Sequence, residues 1–155
     1  MADLEELYRE IILDHYRSPR NRGELPSPPA QRTEGFNPLC GDEIVVTIEL
    51  TDGVLTDIKI AGQGCSISQS SASLMSAAVK GKSVEDVHAT IDTFKRLMLV
   101  HESQLEESDV EPEAVDLKSL GELAALQGVV KFPVRIKCAT LGWNTLAQAL
   151  EEAGA

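Results

Sequence analysis

Three cysteines and one aspartate are the residues in this 155-residue chain best suited to chemistry. Each cysteine falls at a junction between elements. Cys40 precedes Gly41 and Asp42, Cys65 follows Gly62-Gln63-Gly64, and Cys138 lies early in a C-terminal apolar pattern. Glycine beside a thiol lets backbone and ligand approach with no Cβ in the way. A helix N-terminus favours thiolate, the nucleophilic and metal-binding form, at Cys65 and more weakly at Cys138. The competing reading is that cysteines are small buried core residues. The intervals of 24 and 72 residues between them contain no Cys-x-x-Cys pair and match no general zinc template.

The elements around these residues sharpen the choice. Leu4, Tyr8, Ile11, Ile12 and His15 recur at helical spacing until Ser18-Pro19 ends the pattern. Four prolines and a glycine then make 19–29 a loop. Residues Gln31 to Phe36 read as a first strand. From Asp42 to Leu50 the chain alternates, with Ile44, Val46, Ile48 and Leu50 on one face. Asp52-Gly53 marks a tight hairpin, and Val54, Thr56, Ile58 and Ile60 read as one side of the return strand. If these strands pair, Asp42 and Ile60 fall near one end of the hairpin. Cys40 and Cys65 then emerge at that end, and Asp42 can point an oxygen into the same space.

The remainder reads as helical. Ile67, Ser71, Leu74 and Ala78 give a narrow small-residue face over 66–80. Ser83 with Asp86 reads as a capping box before a stripe of Val84, Val87, Ile91, Phe94 and Met98. Glu106 to Asp116 is an acidic loop containing Pro112, and Leu117 to Leu126 reads as a short helix. The last helix starts near Pro133, with Ile136, Ala139, Trp143, Leu146, Ala147 and Leu150 inward. The expected fold is α+β, a small antiparallel three-stranded sheet packed against about five helices in a single domain over 1–155.

Composition narrows the function classes. A net charge of −11 disfavours nucleic acid and anionic membrane as partners. The chain opens Met1-Ala2-Asp3-Leu4-Glu5-Glu6, acidic where an export signal needs a basic lead. Residues 60–79 carry no charge, but six serines exclude a spanning helix. An odd cysteine count without an export signal points to free thiols or metal ligands in a reducing compartment, the cytoplasm. Only six aromatics leave a mainly aliphatic core. His15 reads as a packed or surface residue, His88 and His101 as surface residues, and Trp143 as core. The serine-rich helix reads as a close-packing device, since no Ser/His/Asp signature surrounds it. Gly62-x-Gly64 is too short for phosphate binding.

Four stretches carry a family resemblance: 12–21 (ILDHYRSPRN), 37–42 (NPLCGD), 62–68 (GQGCSIS) and 135–143 (RIKCATLGW). In this order they resemble the U-type iron–sulfur assembly proteins over nearly the whole chain. That family has two branches. The IscU-type scaffold, on which a [2Fe–2S] cluster is assembled, carries a histidine before its third cysteine, where this chain has Lys137. It also carries a Leu-Pro-Pro-Val-Lys chaperone-binding stretch, where this chain reads Lys131-Phe132-Pro133-Val134-Arg135. With an insertion around 99–128, these departures resemble the SufU-type zinc-dependent sulfurtransferases.

The resemblance implies Cys40, Asp42, Cys65 and Cys138 as zinc ligands, with Cys40 as acceptor of persulfide sulfur from a SufS-like cysteine desulfurase. In accepting sulfur Cys40 leaves the metal, and a partner histidine takes its place. Arg135 is similar to a family residue near the metal that stabilises the thiolate or the arriving sulfur. A downstream iron–sulfur assembly scaffold is the implied recipient. The alternatives are a scaffold holding an iron–sulfur cluster on the same ligands, and a purely structural zinc domain. Lys137 weighs against the first, and the carboxylate ligand against the second.

Overall fold

A computed structural model describes residues 4–26, 30–38, 41–105, 123, 125–126 and 133–154. In chain order these form α1 (Leu4–Arg17), β1 (Gln31–Asn37), β2 (Asp42–Thr51), β3 (Val54–Gln63), α2 (Ser66–Val79), α3 (Val84–Leu105) and α4 (Pro133–Glu152). The α+β expectation holds, with four α-helices among the described residues in place of about five. The expected helix from Leu117 lies mostly outside the described residues, as does the acidic 106–116 loop.

The three strands form one antiparallel meander, β1-β2-β3. The β2–β3 hairpin closes through Asp52 and Gly53, both at positive φ (51° and 76°), as the Asp-Gly signal requires. Pairing of Asn37 with Asp42 and of Glu43 with Gln63 brings the last residues of β1 and β3 to the end where β2 begins.

One face assignment needs correction. The register shifts between Glu49 and Leu50: Glu49 pairs with Asp57 and Leu50 with Leu55, so Thr56 is the extra residue of a bulge. The extra residue inverts the alternation near the hairpin tip. Leu55 therefore joins Ile58 and Ile60 in the core, while Thr56 is exposed and donates its hydroxyl to the Glu49 carbonyl at 3.0 Å. The 19–29 loop also does more than connect. Asn21, at φ 55°, accepts from the Ile60 amide, and the Gly23 amide donates back to the Ile60 carbonyl, both at 2.9 Å. This segment thereby pins the outer edge of β3.

Helix α4 packs on β1 and β2, and α2 lies between α1 and α4. The core is mainly aliphatic, built on Ile44, Val46, Ile48, Leu55, Ile58, Met75, Leu146 and Leu150. Among the described residues its one aromatic stack, Phe94 on Trp143 with centroids 4.3 Å apart, joins α3 to α4. The Ser83 half of the capping box expected for α3 is present, with the Asp86 amide donating to Ser83 Oγ at 3.2 Å.

Helix α2 is the most enclosed element, and its serines explain how. Ser68, Ser70, Ser71, Ser73 and Ser76 are all buried, so small side chains let α1 and α4 approach closely. Each buried hydroxyl finds a partner. Ser73 Oγ meets His15 Nδ1 at 2.7 Å and accepts from the Arg20 amide at 2.8 Å. Ser71 accepts from the Trp143 indole N–H at 3.1 Å and donates to the Ala139 carbonyl at 2.5 Å. Among the described residues, no buried side-chain nitrogen or oxygen lacks a hydrogen-bond partner. His15, expected as packed or surface, is fully packed.

Replacing Ser71 with alanine removes one hydroxyl but strands the buried Trp143 N–H. A lost partner of that kind costs about 1–3 kcal/mol. Urea unfolding of Ser71→Ala should show that loss with an unchanged slope. A variant as stable as wild type would mean that the indole N–H is not held in this way.

Candidate metal centre

Asp42 opens β2 at the sheet end where β1 and β3 finish, and its side chain is fully buried. A buried carboxylate needs donors or a cation. One donor is the Cys65 amide, which gives its N–H to Asp42 Oδ1 at 2.9 Å. This bond spans the gap between the start of β2 and the end of β3, and so fixes where Cys65 stands.

Cys65 is the N-cap of α2, in extended conformation (φ −71°, ψ 168°). Its sulfur takes the place usually held by a serine or aspartate oxygen and accepts the Ser68 amide at 3.5 Å. The Ser68 hydroxyl lies 3.8 Å from the same sulfur. Arg22 braces this junction from outside, donating to the Gly62 carbonyl and to Gln69 Oε1, both at 2.9 Å.

Cys138 lies in the second turn of α4 and is fully buried. The packing of α4 on β1 and on α2 carries it to the same sheet end. Asp42, Cys65 and Cys138 thus offer ligand atoms within 4.8 Å of one another, two sulfurs and one carboxylate oxygen. Cys65 Sγ and Asp42 Oδ2 are 4.0 Å apart. Tetrahedral zinc, with bonds of roughly 2.0–2.3 Å, sets its ligand atoms about 3.6–3.8 Å apart. The donor set therefore fits such an ion, with ligand atoms that need draw together by at most about 1 Å.

Three of the four expected ligands come together in this way. Cys40 lies outside the described residues, but the four residues joining Asn37 to Asp42 include it. Gly41, the next residue, is exposed and turns the chain with φ 67°. Arg135 is exposed in the first turn of α4, three residues before Cys138. Lys137, where a scaffold carries histidine, is also exposed.

Two neighbours of the site escaped the sequence reading. Ser68 was recognised only as a packing serine, and Asn37, whose Nδ2 lies 3.8 Å from Cys138 Sγ, had no role. Ser68 could have been found from its place three residues after an N-cap. Asn37 could not have been, because its contact crosses 101 positions.

Comparison with known proteins shows the family. The NifU-like N terminal domain model matches residues 7–139. The chain belongs to that family. It is 44% identical over 155 residues to the zinc-dependent sulfurtransferase SufU of Bacillus subtilis strain 168, covering 99% of this chain and 97% of the other. It is 38% identical over 151 residues to the iron–sulfur cluster assembly scaffold protein IscU of Streptococcus pyogenes serotype M1, covering 97% and 87%. Among solved structures, it resembles a protein assigned as an iron–sulfur cluster assembly scaffold for the SUF system of Fervidobacterium islandicum AW-1. That match has TM-score 0.79 and 28% identity, and covers 96% of this chain and 99% of the other.

Gly64 gives the site a steric test. A Cβ at this position would lie 2.5 Å from both Asp42 Oδ1 and Ser68 Oγ, atoms held by the Cys65 amide and the Cys65 carbonyl. Gly64→Ala should therefore stay folded by circular dichroism yet bind zinc at least about tenfold more weakly, the scale at which outer-shell changes act. Chelator competition giving wild-type affinity would show that the Asp42–Cys65 junction tolerates the displacement.

Proposed function

We propose that this chain is a zinc-dependent sulfur carrier for iron–sulfur cluster assembly, taking sulfur from a SufS-like cysteine desulfurase. The observation that carries the reading is the convergence of Asp42, Cys65 and Cys138, two thiols and a carboxylate from three separate elements. Similarity to a sulfurtransferase along nearly the whole chain supports it.

Cys65, Cys138, Asp42 and Cys40 are the residues that would hold zinc. When bound, zinc keeps its thiolate ligands deprotonated and brings no redox chemistry of its own. Cys40 is the acceptor. Its thiolate attacks the terminal sulfur of the partner's persulfide, the partner's S–S bond breaks, and the partner cysteine leaves as thiolate. Cys40 then carries the persulfide, with no net oxidation or reduction. Arg135, exposed three residues before Cys138, is the residue we assign to stabilising the thiolate or the arriving sulfur. The sulfur passes onward to a separate assembly scaffold. Among the described residues no helix is long and apolar enough to cross a membrane, and free thiols at Cys65 and Cys138 suit a reducing cytoplasm.

The second reading is a scaffold that assembles a [2Fe–2S] cluster on the same side chains, supported by the scaffold relative of Streptococcus pyogenes. Lys137 favours the carrier. The ammonium beside Cys138 is a poor ligand where scaffolds place an imidazole.

The two readings part on Cys40. Protein purified without added metal should hold about one zinc per chain, and chelation should lower its melting temperature, because metal binding contributes to folding free energy. With a cysteine desulfurase, wild type should accelerate sulfide release, and mass spectrometry should find the added sulfur on Cys40. Cys40→Ala should keep its fold while losing both properties. Undiminished stimulation by Cys40→Ala would refute the carrier. A wild type that fails to stimulate but gives a stable iron–sulfur chromophore on reconstitution would establish the scaffold instead.

A further inference from the structure

Cys65 and Cys138 stand in different hydrogen-bonding surroundings. Cys65, at an N-cap, meets the Ser68 amide that opens α2. Cys138 is the sixth residue of α4. Only the first four amides of a helix lack an intrahelical partner, so the amides of Cys138 and of the residues after it are committed to helix bonds. A buried thiolate there needs donors from another element.

We infer that Asn37 is a positioning residue that donates a side-chain N–H to the Cys138 sulfur and so sets how strongly that sulfur holds a metal. Asn37 is the last residue of β1, directly across from Asp42. Strand alternation turns it, like Thr33, toward α4, and both are buried. Its Nδ2 reaches Cys138 Sγ at 3.8 Å, within the longer span of a hydrogen bond to sulfur. The amide suits this place chemically. It donates without adding charge, whereas aspartate at the same size would set an acceptor against sulfur. One β1–β2 pair thus serves two ligands, since Asp42 supplies a donor atom to the site and Asn37 supports the sulfur beside it.

The inference rests on the metal reading above, and the experiment separates the two. Zinc affinity is measured by chelator competition for wild type, Asn37→Ala and Asn37→Asp. Asn37→Ala should bind about 10–100-fold more weakly, and Asn37→Asp more weakly still. In cobalt-substituted protein, loss of the N–H···S bond should move the thiolate-to-metal charge-transfer band to lower energy, a change that a merely structural role would not produce. Wild type loaded with the spin-active cadmium isotope should show coupling between the metal and an Asn37 side-chain amide proton. This last measurement needs no variant to fold. Folded variants with wild-type affinity and an unmoved band, or no cadmium coupling to Asn37, would overturn the inference. A wild type that takes up no metal would overturn the metal reading itself.

Discussion

One buried hydroxyl bonds across the two helices nearest the site cysteines. Ser71 of α2 accepts the Trp143 indole N–H and donates to the Ala139 carbonyl, so it holds α2 and α4 together at two points. Ala139 follows Cys138, and Ser71 lies less than two turns after Cys65. The contact between the two helices therefore lies close in sequence to both sulfurs. Trp143 extends the same node to α3 through its stack on Phe94. A larger residue at position 71 would separate the helices, and an apolar one would leave the indole N–H without its acceptor.

From that node the remaining constraints follow in order. With α4 fixed against β1 and β2, Cys138 lies over the sheet end where Asn37 faces Asp42. Asp42 then captures the Cys65 amide, which is possible only because Gly64 leaves room for the carboxylate. Gly62 meets a similar limit, since a Cβ on it would run into the Glu43 carbonyl. The glycine-beside-thiol argument therefore applies at Gly64, whereas Gly62 is required by strand pairing and Gly41 has open space at its Cβ position.

Much of this was legible in the sequence because it rests on local rules. The Asp-Gly turn, the alternation of β2, the Ser83 cap and the Pro133 start all depend on neighbouring residues, and the convergence of Asp42 with Cys65 follows once the Asp-Gly turn pairs β2 with β3. The bulge at Thr56 was not legible, since the alternating pattern continues through it and only pairing with Glu49 and Leu50 reveals the extra residue. Asn37 was hidden for a related reason. A polar residue at a strand end looks like a turn former until the register and α4 show what it faces. His15 lies between these cases: its spacing placed it on the inner face, but only the close approach of α2 supplies Ser73 as its partner.

In the carrier reading, the protein must hold a metal firmly and still free one ligand, and the described elements differ in how firmly they are fixed. Cys65 is fixed by the bond from its own amide to Asp42 and by its role as N-cap. Cys138 is fixed by a helix locked through Ser71. Releasing either sulfur would disturb helix packing that the whole domain shares. The connection from Asn37 to Asp42 is different. It is four residues long, its ends are paired strand residues, and it leaves through an exposed glycine at positive φ with nothing within 4 Å of where a Cβ would stand. In the carrier reading, the acceptor thiol of Cys40 belongs to this connection, while the two helix-borne sulfurs and Asp42 would keep the metal in place.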